Sequence, residues 1–292
     1  NQSGLNTTIN QNTQNLAIDW QSFDVNTNER VQFIQPNTYS IALNRILGNI
    51  GSTIQGQFDA NGQVILVNPN GVFFSSTATV NVGGLIASSL DMTPSDFMNG
   101  NYIFNEVLGA EGAVINSGII NAALGGSNAG GNVALIGKQV KNDGLISANL
   151  GSVVLAAGKQ SILTFDNQGL IGVTVTKEVL QSELGLEAAV TNNGEIKAEG
   201  GRVLLTASTS QDVFSQAVNN SALDQATSVV VNADGSFTLG GGADVINTGS
   251  IDVSSQFNES NTARIILIGE NVSNSGSIKA DTFNGLEWKR GV

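Results

Sequence analysis

A seven-residue pattern, V-x-N-x-G-x-I, recurs five times in this chain without a mismatch at its four fixed positions. The copies are Val114, Asn116, Gly118, Ile120; Val140, Asn142, Gly144, Ile146; Val190, Asn192, Gly194, Ile196; Val245, Asn247, Gly249, Ile251; and Val272, Asn274, Gly276, Ile278. They are separated by 26, 50, 55 and 27 residues. Those steps read as one, two, two and one turns of a unit of ~26 residues, the mark of a repeat architecture. Apolar segments follow most copies at a similar offset: 133–136 (VALI), 153–156 (VVLA), 203–206 (VLLT) and 265–268 (IILI). Small residues introduce them, as at Gly130-Gly131-Asn132 and Gly200-Gly201-Arg202. Each unit therefore reads as strand, turn, strand, turn.

Strand geometry converts that spacing into a solenoid. Alternation with period two sends Val and Ile to one face, and the Gly between them allows positive φ or close backbone approach. A single unit cannot bury its apolar face. Stacked on the next copy, it pairs its strands in parallel at ~4.8 Å and closes a continuous core. Asparagines at a fixed place then fall into register, so Asn116, Asn142, Asn192, Asn247 and Asn274 are expected to form a ladder of amide hydrogen bonds; ligand binding is the alternative for them. Leucine-rich repeats, propellers and calcium-binding nonapeptides each need signatures that are missing. The expected fold is all-β, a right-handed parallel β-helix with an N-terminal capping region over residues 1–110 and coils over residues 111–292. Two stretches interrupt the repeat, near 160–189, where Val179, Leu180 and Leu184 share a helical stripe, and near 208–243. Both are expected as excursions from the solenoid, for packing or for binding.

Composition agrees with many short strands and tight turns. Only 12% of residues are charged and 5% aromatic, against 35 Gly, a comparable number of Asn and 3 Pro, while 40% are hydrophobic. A net charge of −12 with no basic run excludes a nucleic-acid partner and disfavours anionic membranes. The sequence has no Cys and no His, which removes disulfides, thiolate metal sites and the commonest general base. No metal site, cofactor or catalytic residue is expected. No signal peptide is visible from Asn1, so the signal of an exported protein is expected to have been removed or left out, and the longest apolar runs, such as 264–268, are far short of a membrane span.

The first 110 residues lack the strict repeat but hold dense motifs. Trp20-Gln21-Ser22-Phe23-Asp24-Val25 comes first, then Leu43-Asn44-Arg45-Ile46, then Asn68-Pro69-Asn70-Gly71-Val72, then Ser88 to Phe104. In this order they closely resemble the two-partner secretion, or haemagglutination-activity, domain at the start of filamentous haemagglutinins and high-molecular-weight adhesins. The NPNL motif of the haemagglutinin branch is absent, which puts the chain nearer the adhesin branch. The resemblance implies a secretion motif formed by Asn68, Pro69, Asn70, Gly71 and Val72, with Asn44 and Arg45 from the second segment. Physically, Pro69 pre-sets φ, Gly71 can take positive φ, and the amides can bind nearby backbone. The turn is expected to lock the N-terminal cap, or else to be read directly by a transporter. Thr93-Pro94 suits the start of a short helix.

The resemblance further implies the route. The domain would travel by Sec export to the periplasm of a Gram-negative bacterium and be captured by the POTRA domains of a cognate outer-membrane TpsB transporter of the Omp85 type. It would then fold outside, N-terminal region first, as part of a secreted or surface exoprotein, expected as a monomer. The parent is expected to be an adhesin with a host or matrix glycan or receptor as its target, and the domain to be its front part. Two alternatives remain. One makes the domain itself a glycan-binding module, with Trp20 and Trp288 as its few large aromatics. The other is a polysaccharide-active β-helix enzyme, for which pairs such as Asp19 with Asp24 or Glu195 with Glu199 would need to gather into a cluster.

Overall fold

The computed structural model describes residues 2–124, 129–148, 150–166, 169–177, 179, 184, 188–199, 201–207, 229–231, 237–239, 243–254, 264–269, 271–283 and 288–290. Three long sheets run the length of the molecule, and the chain visits them in rotation. The first contains Asn6–Asn10, Arg30–Ile34, Gln57–Ala60, Thr79–Val82, Ile119–Leu124, Leu145–Ser147, Glu195–Lys197, Ser250–Asp252 and Ser277–Lys279, in that order. The second contains Asn15–Trp20, Ile41–Ile46, Gln63–Val67, Gly84–Ser88, Asn132–Gly137, Ser152–Ala157, Arg202–Thr206 and Arg264–Ile268. The third runs Ser52–Ile54, Val72–Phe74, Val114–Asn116, Val140–Asn142, Val190–Asn192, Val245–Asn247 and Val272–Asn274, with Val25 bridged in parallel to Ile54 at its start. Each strand pairs in parallel with its counterpart one turn on, as in Val114 with Val140 and Val140 with Val190. The chain is a parallel β-helix.

Eight full coils follow, over residues 6–25, 30–54, 57–74, 79–116, 119–142, 145–192, 195–247 and 250–274. Alternation turns Val114, Ile120, Val133, Val140 and their counterparts as far as Val245 and Ile251 into the tube, where they are buried in one continuous core; Val272 and Ile278 at the end of the stack are exposed. Every coil adds a layer to that core by contact with its neighbours alone.

The coils differ from the sequence reading in three respects. Each has three strands rather than two. The heptapeptide does not lie in one strand: its V-x-N part belongs to the third sheet and its Ile to the first, with a corner at the Gly. None of those corner glycines has positive φ. They are required by close approach, because a Cβ on Gly144, Gly194, Gly249 or Gly276 would enter the carbonyl oxygen of the glycine one coil earlier. The steps of 50 and 55 residues are single turns, not double ones, since Asn142 pairs with Asn192 and Asn192 with Asn247. The extra residues leave the helix between the second and third sheets.

The division placed at residue 110 coincides with no break in any sheet: Thr79–Val82 pairs with Ile119–Leu124, and Gly84–Ser88 with Asn132–Gly137. Residues 6–74 already form three coils. Their corner at Ser52, Ile54, Gly56 and Phe58 has the spacing of the heptapeptide with only the Gly kept, which is why strict matching passed over it.

Excursions cover the outer face of the second sheet. Between the fourth coil's second and third strands the chain forms helix α1, Pro94–Met98, capped by Thr93, whose Oγ1 accepts from Asp96 N at 3.1 Å. It continues into the strand Ile103–Asn105. That strand pairs antiparallel with Gln160–Asp166, which pairs with Gly169–Lys177. A second apolar core lies beneath, joining Ile41, Leu43, Ile65, Val67, Ile136 and Val154 of the sheet to Phe97, Phe104, Leu163, Val173 and Val175. Val179 is buried in the inner core and Leu184 packs against it; Leu180 lies outside the described residues. Of the stretch near 208–243, an antiparallel pair, Val229–Val231 with Phe237–Leu239, is described.

Candidate functional site

The two motif segments meet at the corner between the second and third sheets, in the second and third coils. Along Ile41–Ile46 the side chains alternate, so Asn44 points into the tube and Arg45 points out. Asn44 is fully buried, and its Oδ1 accepts from Trp20 Nε1 at 2.9 Å. Arg45 reaches the excursion, donating from Nε to Asp91 Oδ1 and from a terminal nitrogen to Asp91 Oδ2, both at 2.7 Å, with Asp19 at 3.8 Å. The hydrogen bonds from Asp91 hold the Arg45 guanidinium above its ordinary pKa against the desolvation of partial burial, and the charges of Asp91 and Asp19 add to this.

Asn68-Pro69-Asn70-Gly71 turns the third coil from the second sheet to the third. Gly71 N donates to Asn68 O at 2.8 Å, and Gly71 has φ of +106°, outside the range other residues favour. Asn68 is fully buried, and all its amide atoms are engaged: Nδ2 donates to Ile50 O and to Ser52 Oγ at 3.0 Å, and Oδ1 accepts from Asn70 N at 3.0 Å. Asn70 is exposed and donates from Nδ2 to Gly48 O at 3.0 Å. On the other side Gly112 N donates to Pro69 O, and Val72, fully buried, donates its N–H to Ala113 O at 3.0 Å. The turn thus fastens the corner of the coil before it and that of the coil after it. It lies in the third coil, and the edge strand of the first coil, Asn6–Asn10, is paired by Gln2–Ser3.

An open groove of about 330 Å³ joins the two segments, lined by residues 45–48, Pro69, Asn70, Asp91 and residues 107–110. Lys138 fixes its far wall, with Nζ donating to Ala110 O at 3.1 Å and lying 3.3 Å from Glu111 and 3.6 Å from Glu106. Leu47, Ile50 and Leu108 are exposed around it.

Away from this corner, the five repeat asparagines stand in a column at the corner of the third and first sheets. Asn116 Nδ2 donates to Asn142 Oδ1 at 2.8 Å, Asn142 to Asn192 at 2.8 Å, Asn192 to Asn247 at 2.7 Å and Asn247 to Asn274 at 2.6 Å. The first four are fully buried. The sequence reading missed a second amide network at the corner of the first and second sheets, built by Gln11 and Gln35 of the first two coils. Its signal was a buried polar residue one coil apart, at an interval of 24 residues.

The acidic pairs do not gather. Asp24 Oδ1 accepts from Thr53 N, Asp19 lies by Arg45, and Glu195 bridges Lys197 at 3.0 Å, so two of them have basic partners that the sequence pattern did not reveal. Among the described residues, no three Asp or Glu side chains come together as metal ligands would.

Residues 1–253 match the model of the TPS secretion domain. The chain belongs to this family. It is similar, at 37% identity over 199 residues, to the heme/hemopexin-binding protein of Haemophilus influenzae (strain ATCC 51907 / DSM 11121 / KW20 / Rd), a match covering 67% of this chain and 21% of that protein. A second heme/hemopexin-binding protein of Haemophilus influenzae is 42% identical over 97 residues, 33% of this chain and 10% of that protein. The crystal structure of the HMW1 secretion domain from Haemophilus influenzae is similar with a TM-score of 0.73 at 27% identity, covering 97% of this chain and 64% of that one. This TPS domain spans about a fifth of the first of these relatives. Proteins of the family are exoproteins that Gram-negative bacteria secrete through a TpsB transporter.

Proposed function

We propose that this domain addresses a large exoprotein to its cognate outer-membrane TpsB transporter and starts the folding of that exoprotein outside the cell. The match to the secretion-domain family over residues 1–253 carries the reading. On it, the precursor reaches the periplasm by Sec export. POTRA domains of the transporter capture an extended segment by strand addition, and the coils form in order once outside. The two motifs serve that last step. Asn44 and Asn68 have no exposed surface and their amides are spent within the fold, which supports a folding role rather than recognition of the finished surface.

The domain itself we take to be monomeric and without enzymatic activity. The apolar outer face of its second sheet is covered by the chain's own excursions, which supports the monomer. Any glycan, receptor or haem-protein binding we assign to the rest of the parent exoprotein. With no His and no Cys, this stretch lacks the side chains that most often hold haem iron.

Co-expression with the transporter tests the reading. The domain alone should appear in the medium when the transporter is present and stay in the cell when it is not. A parent exoprotein that is secreted undiminished after deletion of residues 1–253 would overturn it.

A further inference from the structure

We propose that residues 6–74, the first three coils, are the folding nucleus of the helix, and that Gln35 is the residue that sets their register. The inference deepens the reading that the domain starts folding, by naming where and through which side chain.

Gln35 is only 5% exposed and its amide touches three consecutive coils. Nε2 donates to Gln11 Oε1 of the first coil at 2.9 Å, to Ser40 O of its own coil at 3.1 Å and to Gln63 O of the third at 3.2 Å. Oε1 accepts from Gly62 N at 2.9 Å. Gln11, equally buried, continues the network with bonds from Nε2 to Thr13 O, Gln14 O and Ile41 O. Asn61 holds the Gln35 backbone from both sides, accepting from its N–H at 2.7 Å and donating to its carbonyl at 2.9 Å.

This network ends where the other begins. In the fourth coil the corner is Gly83-Gly84, and in later coils it is Gly131, Gly151 and Gly201, packed so closely that a Cβ would enter the preceding backbone. The asparagine column starts only at Asn116; the equivalent places in the coils before it hold Ile54 and Phe74. The first three coils also have a different core. Trp20 with Phe23, Phe23 with Phe58, and Phe33 with Phe58 pack ring to ring with centroids 5.6 to 5.8 Å apart. Later layers are filled by Val, Ile, Leu and Ala.

Chain connectivity favours the same segment. Its tying bonds span 16 to 30 residues, as in Asn68 to Ser52 and Gln11 to Ile41, whereas the column, whose first and last bonds span 26 and 27, must also close loops of 50 and 55 residues in between. Loop closure has to be met before such contacts stabilise anything, so the shorter loops close first.

Refolding of the whole chain from urea, without any transporter, tests this. Gln35→Leu should slow refolding at least fivefold and change the unfolding rate less than twofold. Asn192→Leu should do the reverse, speeding unfolding at least fivefold with refolding within twofold. Refolding of Gln35→Leu at the wild-type rate overturns the proposal. If that variant does not fold, pulse-labelled hydrogen exchange on the wild-type chain decides. Amides of residues 30–34 and 57–67 should be protected before those of 203–206 and 245–247, and the opposite or a simultaneous order overturns it. Since no transporter enters either measurement, failure here leaves the secretion reading to its own test.

Discussion

Asn68 and Asn70 lie two residues apart in one turn, and the structure gives them opposite weights. Removing the Asn68 amide leaves the buried Ser52 Oγ without that partner, where water does not replace it readily, and takes from Ile50 O and Asn70 N one partly buried bond each. Removing the Asn70 amide frees Gly48 O at an exposed position, where water does. Asn68→Ala should therefore lower stability by about 2 kcal/mol, and Asn70→Ala by less than about 0.5 kcal/mol. Urea unfolding with an unchanged slope measures both. Equal losses would show that the turn is not held mainly by the buried amide. The pair also separates two readings of the motif, because secretion that follows stability points to folding. Secretion lost in Asn70→Ala, with stability intact, points to direct contact with the transporter.

At the scale of elements, legibility followed rigidity of pattern. The heptapeptide could be read because three demands repeat unchanged in its first four copies: a buried Val, an amide that bonds to the next amide, and a Gly with no room for a Cβ. That the heptapeptide bends at the Gly into two sheets was not legible, since an inward-facing run looks the same whether straight or folded at a corner. The first three coils escaped because their polar column sits at a different corner and uses Gln, and because Phe replaces Val and Ile. The outer layer escaped for another reason: Ile103–Asn105 and Gln160–Asp166 are joined only by tertiary pairing across the second sheet. Their apolar residues face a surface that no local pattern announces. That layer has a measurable consequence. Replacing residues 160–177 by a short turn should strip the cover from Ile136, Val154, Ala156 and Leu204 while leaving the coils paired. Strand content by circular dichroism should persist, binding of a hydrophobic dye should rise severalfold, and amide protection should vanish at Phe104, which pairs with Ser161, but not at Asn105, whose N–H is held by Asp91 O. Unchanged dye binding and protection would mean that the hairpin is not what covers this face.

For the molecule as a whole, the physics is that of a one-dimensional stack, in which each coil is stabilised by the two beside it. A column of hydrogen bonds pointing one way makes that coupling directional in structure: each buried Asn gives its Nδ2 proton to the oxygen of the next coil. A defect in the middle should then divide the stack. Asn192 stands between the sixth and seventh coils, after a loop of 50 residues and before one of 55. Replacing it by Leu leaves Asn142 Nδ2 without its acceptor and Asn247 Oδ1 without its donor, both buried, a loss of about 1–3 kcal/mol at that interface. The coils on the N-terminal side keep the aromatic core, the glutamine network and the clamp of the outer layer. Those beyond it have the column and their aliphatic layers. Unfolding of Asn192→Leu in urea should therefore split into two steps, with amides of 203–206, 245–247 and 265–268 exchanging in the first and those of 31–33, 64–67 and 85–88 in the second. A single transition shared by all these amides would mean that the stack is coupled through its packed interior strongly enough to ignore a broken column.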